Sequence, residues 1–194
     1  MNRKSLLHAH LRKYGDKDGA HDGAHGQEAR RMAEDKGPDK MTIIAFSGDL
    51  DKLWPTMILS STGAAYGMDV TVFHTFWGLF PLVRDDVKIT GDNAMTKMLS
   101  TMNPPGFQRA KLSKLNMGGA GKWMMRQLAG QHNVMPPEDL FDMCLDMGVK
   151  IWPCQMTMDL LGIRADQLRP GLGEPAGAAT ALSEMSRSEI QLFI

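Results

Sequence analysis

The chain has 194 residues, 43% of them hydrophobic, which suffices for the core of one domain. Its 22 basic and 22 acidic side chains cancel, so no overall positive charge recruits nucleic acid or anionic lipid. Two cysteines, Cys144 and Cys154, are too few for a disulfide-stapled secreted fold, and the chain begins without an apolar signal region. We therefore expect a cytoplasmic protein, and no apolar run approaches the ~20 residues of a membrane span.

Residues 1–40 are polar, charged and glycine-containing, and they lack the apolar side chains that would offset the entropy of ordering. We expect a disordered tail, with one domain running from residue 41 to residue 194. Four histidines of the tail have spacings that suit a shared metal ion, but a solvated tail without function is the favoured interpretation. They are His8, His10, His21 and His25. We therefore predict no metal site.

The first part of the domain has the pattern of a βαβ unit. An apolar run at Thr42–Phe46 predicts a buried parallel strand that ends in the loop Ser47–Asp49. Asp51 is expected to cap the next helix, in whose first turn Pro55 must lie to be tolerated. A second strand is predicted at Asp69–His74. Loops at the carboxyl ends of such strands are where ligand sites form in α/β sheets.

The stretch from about residue 79 to 135 is predicted to be a methionine-rich helical insertion. Helix candidates lie at Asn93–Met102 and Gly121–Leu128, separated by a Pro-Pro-Gly break. Flexible thioethers suit an adaptable contact surface, and filling of the core is the equally weighted alternative. The methionines concerned are Met95, Met98, Met102, Met117, Met124 and Met125.

A helix from Pro136 to Met147 follows, with Leu140, Phe141 and Cys144 on one stripe. The apolar neighbours favour a packed core thiol at Cys144, and the alternative is a second reactive thiol that resolves Cys154. The two cysteines are ten positions apart, which is neither a redox CxxC pattern nor a zinc pattern.

Cys154 follows a short apolar strand and precedes a helical pattern at Met156, Leu160 and Ile163. Pro153 is expected to end the strand at Trp152. Unpaired amides at a helix N-terminus favour a thiolate over a thiol, so Cys154 is the candidate nucleophile. The alternative is a packed core cysteine, since free cysteine is often buried.

After Ile163, the sequence predicts a helix at Ala176–Met185 and a last strand at Ile190–Ile194. The class is α/β, with a small, mostly parallel sheet flanked by helices. Two loops and one residue beside the thiol are expected to line a pocket over Cys154, although the aromatic residues also suit a subunit contact. These residues are Ser47, Gly48, Asp49, Thr75, Phe76, Trp77 and Gln155. No GxGxxG or Walker pattern is present, so no cofactor is predicted.

Three stretches, Ser47–Lys52, Phe73–Leu79 and Gly148–Gly162, resemble in their order the DsrE/DsrF/DrsH-like family, in its second, longer subfamily. The resemblance covers Met41–Ile194. It implies a small α/β protein that accepts sulfur as a persulfide on Cys154 and passes it to another protein, often of the TusA or rhodanese type. It also implies a homo-oligomer. Pro153 departs from the family pattern, in which a small residue more often precedes the cysteine.

The leading hypothesis is therefore a sulfur-relay protein with little turnover in isolation. A different class is a non-catalytic binding module that docks a protein or a membrane surface through the methionine-rich insertion. A third is a peroxiredoxin-like thiol enzyme, for which no activating arginine or threonine is identifiable by spacing from Cys154. Thiol reactivity and peroxide consumption discriminate the three.

Overall fold

The computed structural model describes residues 39–87, 89, 98 and 105–194. The predicted tail of residues 1–40, with its four histidines, lies almost wholly outside the described residues. The helix candidate Asn93–Met102 also lies outside them, apart from Met98.

Four strands, all parallel, form one sheet in the described part of the chain. They are β1 (Lys40–Ala45), β2 (Asp69–His74), β3 (Lys150–Pro153) and β4 (Ile190–Phe193), in the spatial order β3-β2-β1-β4. Ile43 lies beside Val72, which lies beside Ile151, and all three are buried. Strands covered on both faces have continuous apolar runs, which is why the sequence predicted them. The predicted α/β class is confirmed.

Five α-helices accompany the sheet within the described ranges. They are α1 (Leu50–Ala65), α2 (Ala120–Gln131), α3 (Pro137–Asp146), α4 (Gln155–Leu161) and α5 (Ala178–Met185). Ile43 and Val72 belong to the main core with residues of α1 and α3, whereas Ile44 and Phe73 pack with Ala181 of α5. Successive strand residues point to opposite faces. Helices α1 and α3 therefore cover one face of the sheet, and α5 covers the other.

Helix α1 begins earlier than predicted, and its cap is a different residue. Asp49 is the N-cap, and Asp51 lies in the first turn, where its carboxylate accepts a hydrogen bond from the Ser113 amide at 2.8 Å. The early start places Leu50 in the core with no exposed surface. Pro55 consequently lies inside the helix, beyond the first turn where the sequence placed it.

The prediction that β3 stops at Trp152 is wrong, because Pro153 is the last residue of the strand. The strand lies at the edge of the sheet, where a proline is tolerated. The Pro153 carbonyl accepts a hydrogen bond from the Ala176 amide on the side of the strand away from β2. The N–H that proline lacks would point to that same side, so the pairing of β3 with β2 loses no hydrogen bond. That pairing continues one residue further, since the Cys154 amide donates to the His74 carbonyl at 2.9 Å.

A 3₁₀ helix at Phe76–Leu82 leads from β2 into the insertion. The described part of the insertion then holds two short 3₁₀ turns, Phe107–Arg109 and Met117–Gly119, and α2. The described methionines of this stretch are exposed, which favours a surface over a core role for them. They are Met98, Met117, Met124, Met125 and Met135.

Candidate functional site

Cys154 is the residue that joins β3 to α4. Its backbone is extended (φ −77°, ψ 116°), its amide belongs to the sheet, and its carbonyl accepts the Met158 amide of α4 at 3.0 Å. It therefore serves as the N-cap of α4, as the sequence predicted. Only 3% of the residue is exposed, and it packs with Phe73 and Ala176 on the face that α5 covers.

Two threonine hydroxyls distinguish the surroundings of this thiol. Thr157 lies in the first turn of α4, and its Oγ1 is 3.2 Å from Oγ1 of Thr75, which follows β2. The Phe76 amide donates to the Thr157 oxygen at 3.1 Å. The oxygen of Thr157 accepts from this amide, and its single hydroxyl proton can be donated either to Thr75 or to the thiol.

Burial and hydrogen bonding have opposite effects on the pKa of the Cys154 thiol. Burial raises the pKa of Cys154, but the hydroxyls of Thr157 and Thr75 lower it, with smaller contributions from the backbone amides of Thr157 and Met156. The net pKa lies below the ordinary value for a thiol. The neutral side chain forms no N-cap hydrogen bond, so the hydroxyls contribute more than the helix terminus does. The arrangement can stabilise a thiolate.

The loop after β2 is held in a constrained conformation. Phe76 has a φ of +46°, a left-handed value that is uncommon for a non-glycine residue. The Thr75 amide donates to the Ala45 carbonyl at 3.0 Å, and Gly78 closes the loop. A Cβ on Gly78 would lie 2.1 Å from the Ala45 carbonyl oxygen, so only glycine fits there.

The loop after β1 contacts the loop after β2. The Ser47 hydroxyl accepts from the Asp49 amide at 3.2 Å and donates to its carboxylate at 3.1 Å, which closes the loop on itself. A Cβ on Gly48 would lie 2.3 Å from the Trp77 carbonyl oxygen. Gly48 therefore lies against Trp77, whereas Thr75 and Phe76 contact Thr157.

Gln155 and two cations near Cys154 in sequence contact carboxylates. Gln155 is exposed, and its side-chain amide donates to Asp159 at 2.7 Å. The cations near Cys154 in sequence are engaged with carboxylates: Lys150 with Asp69 at 2.8 Å, and Arg164 with Asp166 at 3.0 Å. Neutral donors surround the sulfur instead.

Cys144 occupies a different environment. It lies on α3 with no exposed surface, and its Sγ donates weakly to the Met57 carbonyl at 3.6 Å. Burial raises the pKa of Cys144 to about 12. Cys144 belongs to the main core and Cys154 to the cluster under α5, so the sheet separates the two thiols.

An apolar surface patch adjoins the thiol. The rings of Phe46 and Phe76 are 5.5 Å apart, and those of Phe46 and Phe193 are 5.8 Å apart. Phe193 is 69% exposed, and the other two rings are more than one-third exposed. We call these three residues the aromatic patch. It reaches the site through Phe76, whose amide binds Thr157.

Sequence reasoning missed Thr157 and His74. Thr157 stands three residues after Cys154, a spacing that places a first-turn side chain beside the N-cap residue of a helix and was a usable signal. His74 ends β2, and its carbonyl pairs with the Cys154 amide. Its distance from Cys154 along the chain hid this contact.

Comparison with known proteins identifies the family. The model of the DsrE/DsrF/DrsH-like family matches residues 37–193. The chain belongs to this family. It is 37% identical over 155 residues to the uncharacterised protein YrkE of Bacillus subtilis, covering 80% of this chain and 96% of YrkE. It is 35% identical over 158 residues to the sulfur carrier protein DsrE2 of Allochromatium vinosum, covering 80% of this chain and 98% of DsrE2.

Two negative findings apply to the part of the family domain that the structure describes. No helix there has the length and hydrophobicity to cross a membrane. No group of three or more potential metal-ligating side chains occurs among the same residues.

Proposed function

We propose that the protein is a sulfur carrier that holds sulfane sulfur as a persulfide on Cys154 and passes it to another protein. The observation that carries the proposal is the lowered pKa of Cys154, a buried thiol beside the hydroxyls of Thr157 and Thr75. Exchange at sulfur needs thiolate character more than a general base. The similarity to a protein named as a sulfur carrier supports the same chemistry.

The proposed reaction has two exchange steps with no net redox change. The Cys154 thiolate attacks the outer sulfur of a donor persulfide, so a bond forms between Sγ and that sulfur while the donor S–S bond breaks and a donor thiolate leaves. An acceptor thiolate then attacks the terminal sulfur on Cys154. The Cys154 thiolate is the leaving group, and the carrier returns to its starting state.

The hydrogen-bond donors around Cys154 suit both charged states of the cycle. We propose that the Thr157 and Thr75 hydroxyls, which lower the pKa of the thiol, also donate to the terminal sulfur of a persulfide anion. The same donors make Cys154 a good leaving group in the second step, because they stabilise the departing thiolate.

Transfer requires that the covering segment of the chain move. Cys154 is 3% exposed, and residues 173–176 run along the outer edge of β3. The Gly173 amide donates to the Ile151 carbonyl and the Ala176 amide to the Pro153 carbonyl, each at 2.9 Å. We propose that docking of a partner displaces this segment, which explains why little turnover is expected without the partner.

The partners we propose are thiol-bearing proteins, for which the resemblance implies TusA- and rhodanese-like types. The aromatic patch is an apolar surface next to the site, as expected of a docking surface that excludes water during transfer. A homo-oligomer in the cytoplasm remains our prediction. Light scattering of the purified chain measures the oligomeric state.

The proposal is tested by intact mass after incubation with polysulfide or thiosulfate. We expect wild type to gain about 32 Da per sulfur and to lose that mass on reduction, as a thiolate-bound sulfur does. Cys154→Ser should gain none. Cys144→Ala is the matched control and should load as wild type does. If Cys154→Ser gains the mass as fully as wild type, the assignment of the carrier thiol is wrong.

A binding module is the second candidate, and the exposed face of α2 favours it. Trp123 is 66% exposed and Met124 62%, which is unusual for large apolar side chains of one helix. If this face docks a partner independently of sulfur, Cys154→Ser should retain binding. Failure of wild type to accept sulfur from any donor would favour this candidate over the carrier.

A further inference from the structure

His74 is a buried polar side chain that the sulfur chemistry does not use directly. It has no exposed surface, and its Nδ1 lies 2.7 Å from the Gly78 carbonyl oxygen. Since a carbonyl only accepts, Nδ1 carries the proton and Nε2 is a bare acceptor. Nε2 has no hydrogen-bond partner among the described residues. An unpaired buried acceptor is destabilising, so its presence in the core needs an explanation.

His74 cannot act on the sulfur itself, because the two side chains lie on opposite faces of the sheet. Val72 belongs to the main core, whereas Phe73 packs with Cys154 under α5. Side chains alternate along a strand, so His74 points to the same face as Val72. Any influence of the imidazole on Cys154 must therefore pass through the backbone.

A continuous series of hydrogen bonds supplies that route. The imidazole of His74 donates to the carbonyl of Gly78, and the Gly78 amide donates to the Thr75 carbonyl at 3.0 Å. Between these residues Phe76 adopts its left-handed φ of +46°, and its amide donates to Thr157 Oγ1 at 3.1 Å. The loop thereby fixes the hydroxyl pair of Thr75 and Thr157, which is 3.2 Å apart.

We infer that His74 is a positioning residue that holds the 75–78 loop so that Thr75 and Thr157 donate to the Cys154 thiolate. This inference deepens the proposed function and rests on it. An apolar residue would fill the same space without an unpaired nitrogen, but it would remove the side-chain donor to the Gly78 carbonyl and leave the loop less restrained in its strained conformation. The hydrogen bond from the imidazole N–H to the Gly78 carbonyl therefore explains why a histidine occupies this buried position.

Three variants test the inference through the pH profile of Cys154 alkylation by iodoacetamide, followed by peptide mass spectrometry. His74→Leu removes the donor, and we expect its profile to move to higher pH and its rate at pH 7 to fall roughly tenfold. His74→Asn places an amide near Nδ1 and should stay within about threefold of wild type. Val72→Ala is the matched buried control, which loses stability without moving the profile.

A folded His74→Leu protein with the wild-type profile overturns the inference. If that variant does not fold, His74→Gln gives the same comparison, because its amide nitrogen lies near Nε2 and does not reach the Gly78 carbonyl. A profile for His74→Gln equal to that of His74→Asn then overturns it. Thr157→Val provides an independent check. If His74 acts through Thr157, His74→Leu adds no further shift in that background, and additive shifts contradict the proposed route.

The outcome is separable from that of the proposed function. Alkylation reports the thiolate at Cys154 whether or not the protein carries sulfur. Wild type that takes no sulfur in the mass assay defeats the carrier proposal, whereas insensitivity of the alkylation profile to His74 defeats only the positioning role.

Discussion

Cys144 and Cys154 are both almost inaccessible, with 0% and 3% of their surface exposed, yet their thiols differ in acidity. Burial alone acts on Cys144 and raises its pKa to about 12. Burial also raises the pKa of Cys154, but hydroxyl and amide donors lower it by more. The comparison indicates that the donors around a thiol, rather than its exposure, decide which cysteine of this chain has the lower pKa.

The two environments follow from where each cysteine stands in the fold. Cys144 lies inside α3, where the backbone amides are paired within the helix and the neighbours are apolar. Cys154 stands at the carboxyl edge of the sheet, where a helix begins and the loop after β2 arrives. Backbone and hydroxyl donors converge only at such a junction.

The largest expected effect is the difference in alkylation rate between the two thiols in native protein. Burial raises the pKa of Cys144 to about 12, whereas hydrogen bonds lower the pKa of Cys154 below the ordinary thiol range, so the thiolate fraction at pH 7 is much smaller at Cys144. The greater nucleophilicity of the more basic thiolate offsets only about half of that difference on a logarithmic scale, so Cys154 should react roughly tenfold faster or more. Peptide mass spectrometry after limited iodoacetamide treatment measures it.

The control for that measurement is the same reaction in denaturant, where the two rates should converge. Native rates within a factor of about three of each other would remove the basis of the comparison, because the two thiols would then have similar thiolate fractions and access.

The next effect concerns stability in acid and tests the buried imidazole beneath the Cys154 loop. Burial lowers the pKa of His74 from 6.5 to about 4, against a smaller opposite effect of its bond to Gly78. Between those two pH values the unfolded chain binds a proton that the folded chain excludes, so stability is lost as pH falls. The loss should reach about 3 kcal/mol between pH 6.5 and pH 4.

Urea denaturation at pH 7 and at pH 4 measures this loss, with His74→Asn as the reference. The Lys150 ammonium lowers the pKa of Asp69, and paired carboxylates of this kind add to acid sensitivity in both proteins. The difference between the two proteins isolates His74. Equal acid sensitivity of wild type and His74→Asn would mean that the imidazole is not buried in the neutral form.

A smaller effect is expected for Thr157→Val, which should make Cys154 resemble Cys144. Loss of the hydroxyl removes the hydrogen-bond donor that lowers the pKa of Cys154 most, so the alkylation rate at pH 7 should fall by about tenfold. The Phe76 amide also loses its acceptor, which should cost about 1–3 kcal/mol. Both changes are measured on the same protein, by alkylation and by urea denaturation.

Thr42→Val is the matched control for Thr157→Val. Thr42 lies on β1, is 1% exposed, and shares a 2.7 Å hydrogen bond with Ser188, which precedes β4. It should lose stability without a change in the reactivity of Cys154. If the two variants alter alkylation equally, the effect reflects loosening of the whole fold.

Much of the architecture was predictable from the sequence. The bounds of β2 were predicted to the residue, and α3 and β4 to within one residue at each end, because apolar periodicity and proline or glycine boundaries are local signals. The position of Cys154 between a strand and a helix was predicted for the same reason. Pro153 was misjudged because its tolerance depends on β3 being an edge strand, which no local pattern indicates.

The chemistry of the site was predictable only in part. The contacts of Thr157 with Thr75 and Phe76 join residues 82 and 81 positions apart, and they exist because β2 pairs with β3. Helix-dipole arguments predicted an acidic thiol at Cys154, but the hydroxyls of Thr157 and Thr75 lower its pKa more than the backbone amides do. Asp49 rather than Asp51 caps α1 because Leu50 must reach the core, and burial outweighs a local capping preference.

The smallest effect is expected at Cys144, where the comparison predicts packing without chemistry. Cys144→Ala removes one buried sulfur and its weak bond to the Met57 carbonyl, so the variant should lose only about 1 kcal/mol of stability. Sulfur loading at Cys154 should be unchanged, because the thiols lie in separate clusters on opposite faces of the sheet. Mild oxidation of native wild type should likewise produce no intramolecular disulfide, which requires Cα atoms within ~7 Å. A rapidly formed bond between Cys144 and Cys154, or loss of loading in Cys144→Ala, would give Cys144 a chemical role after all.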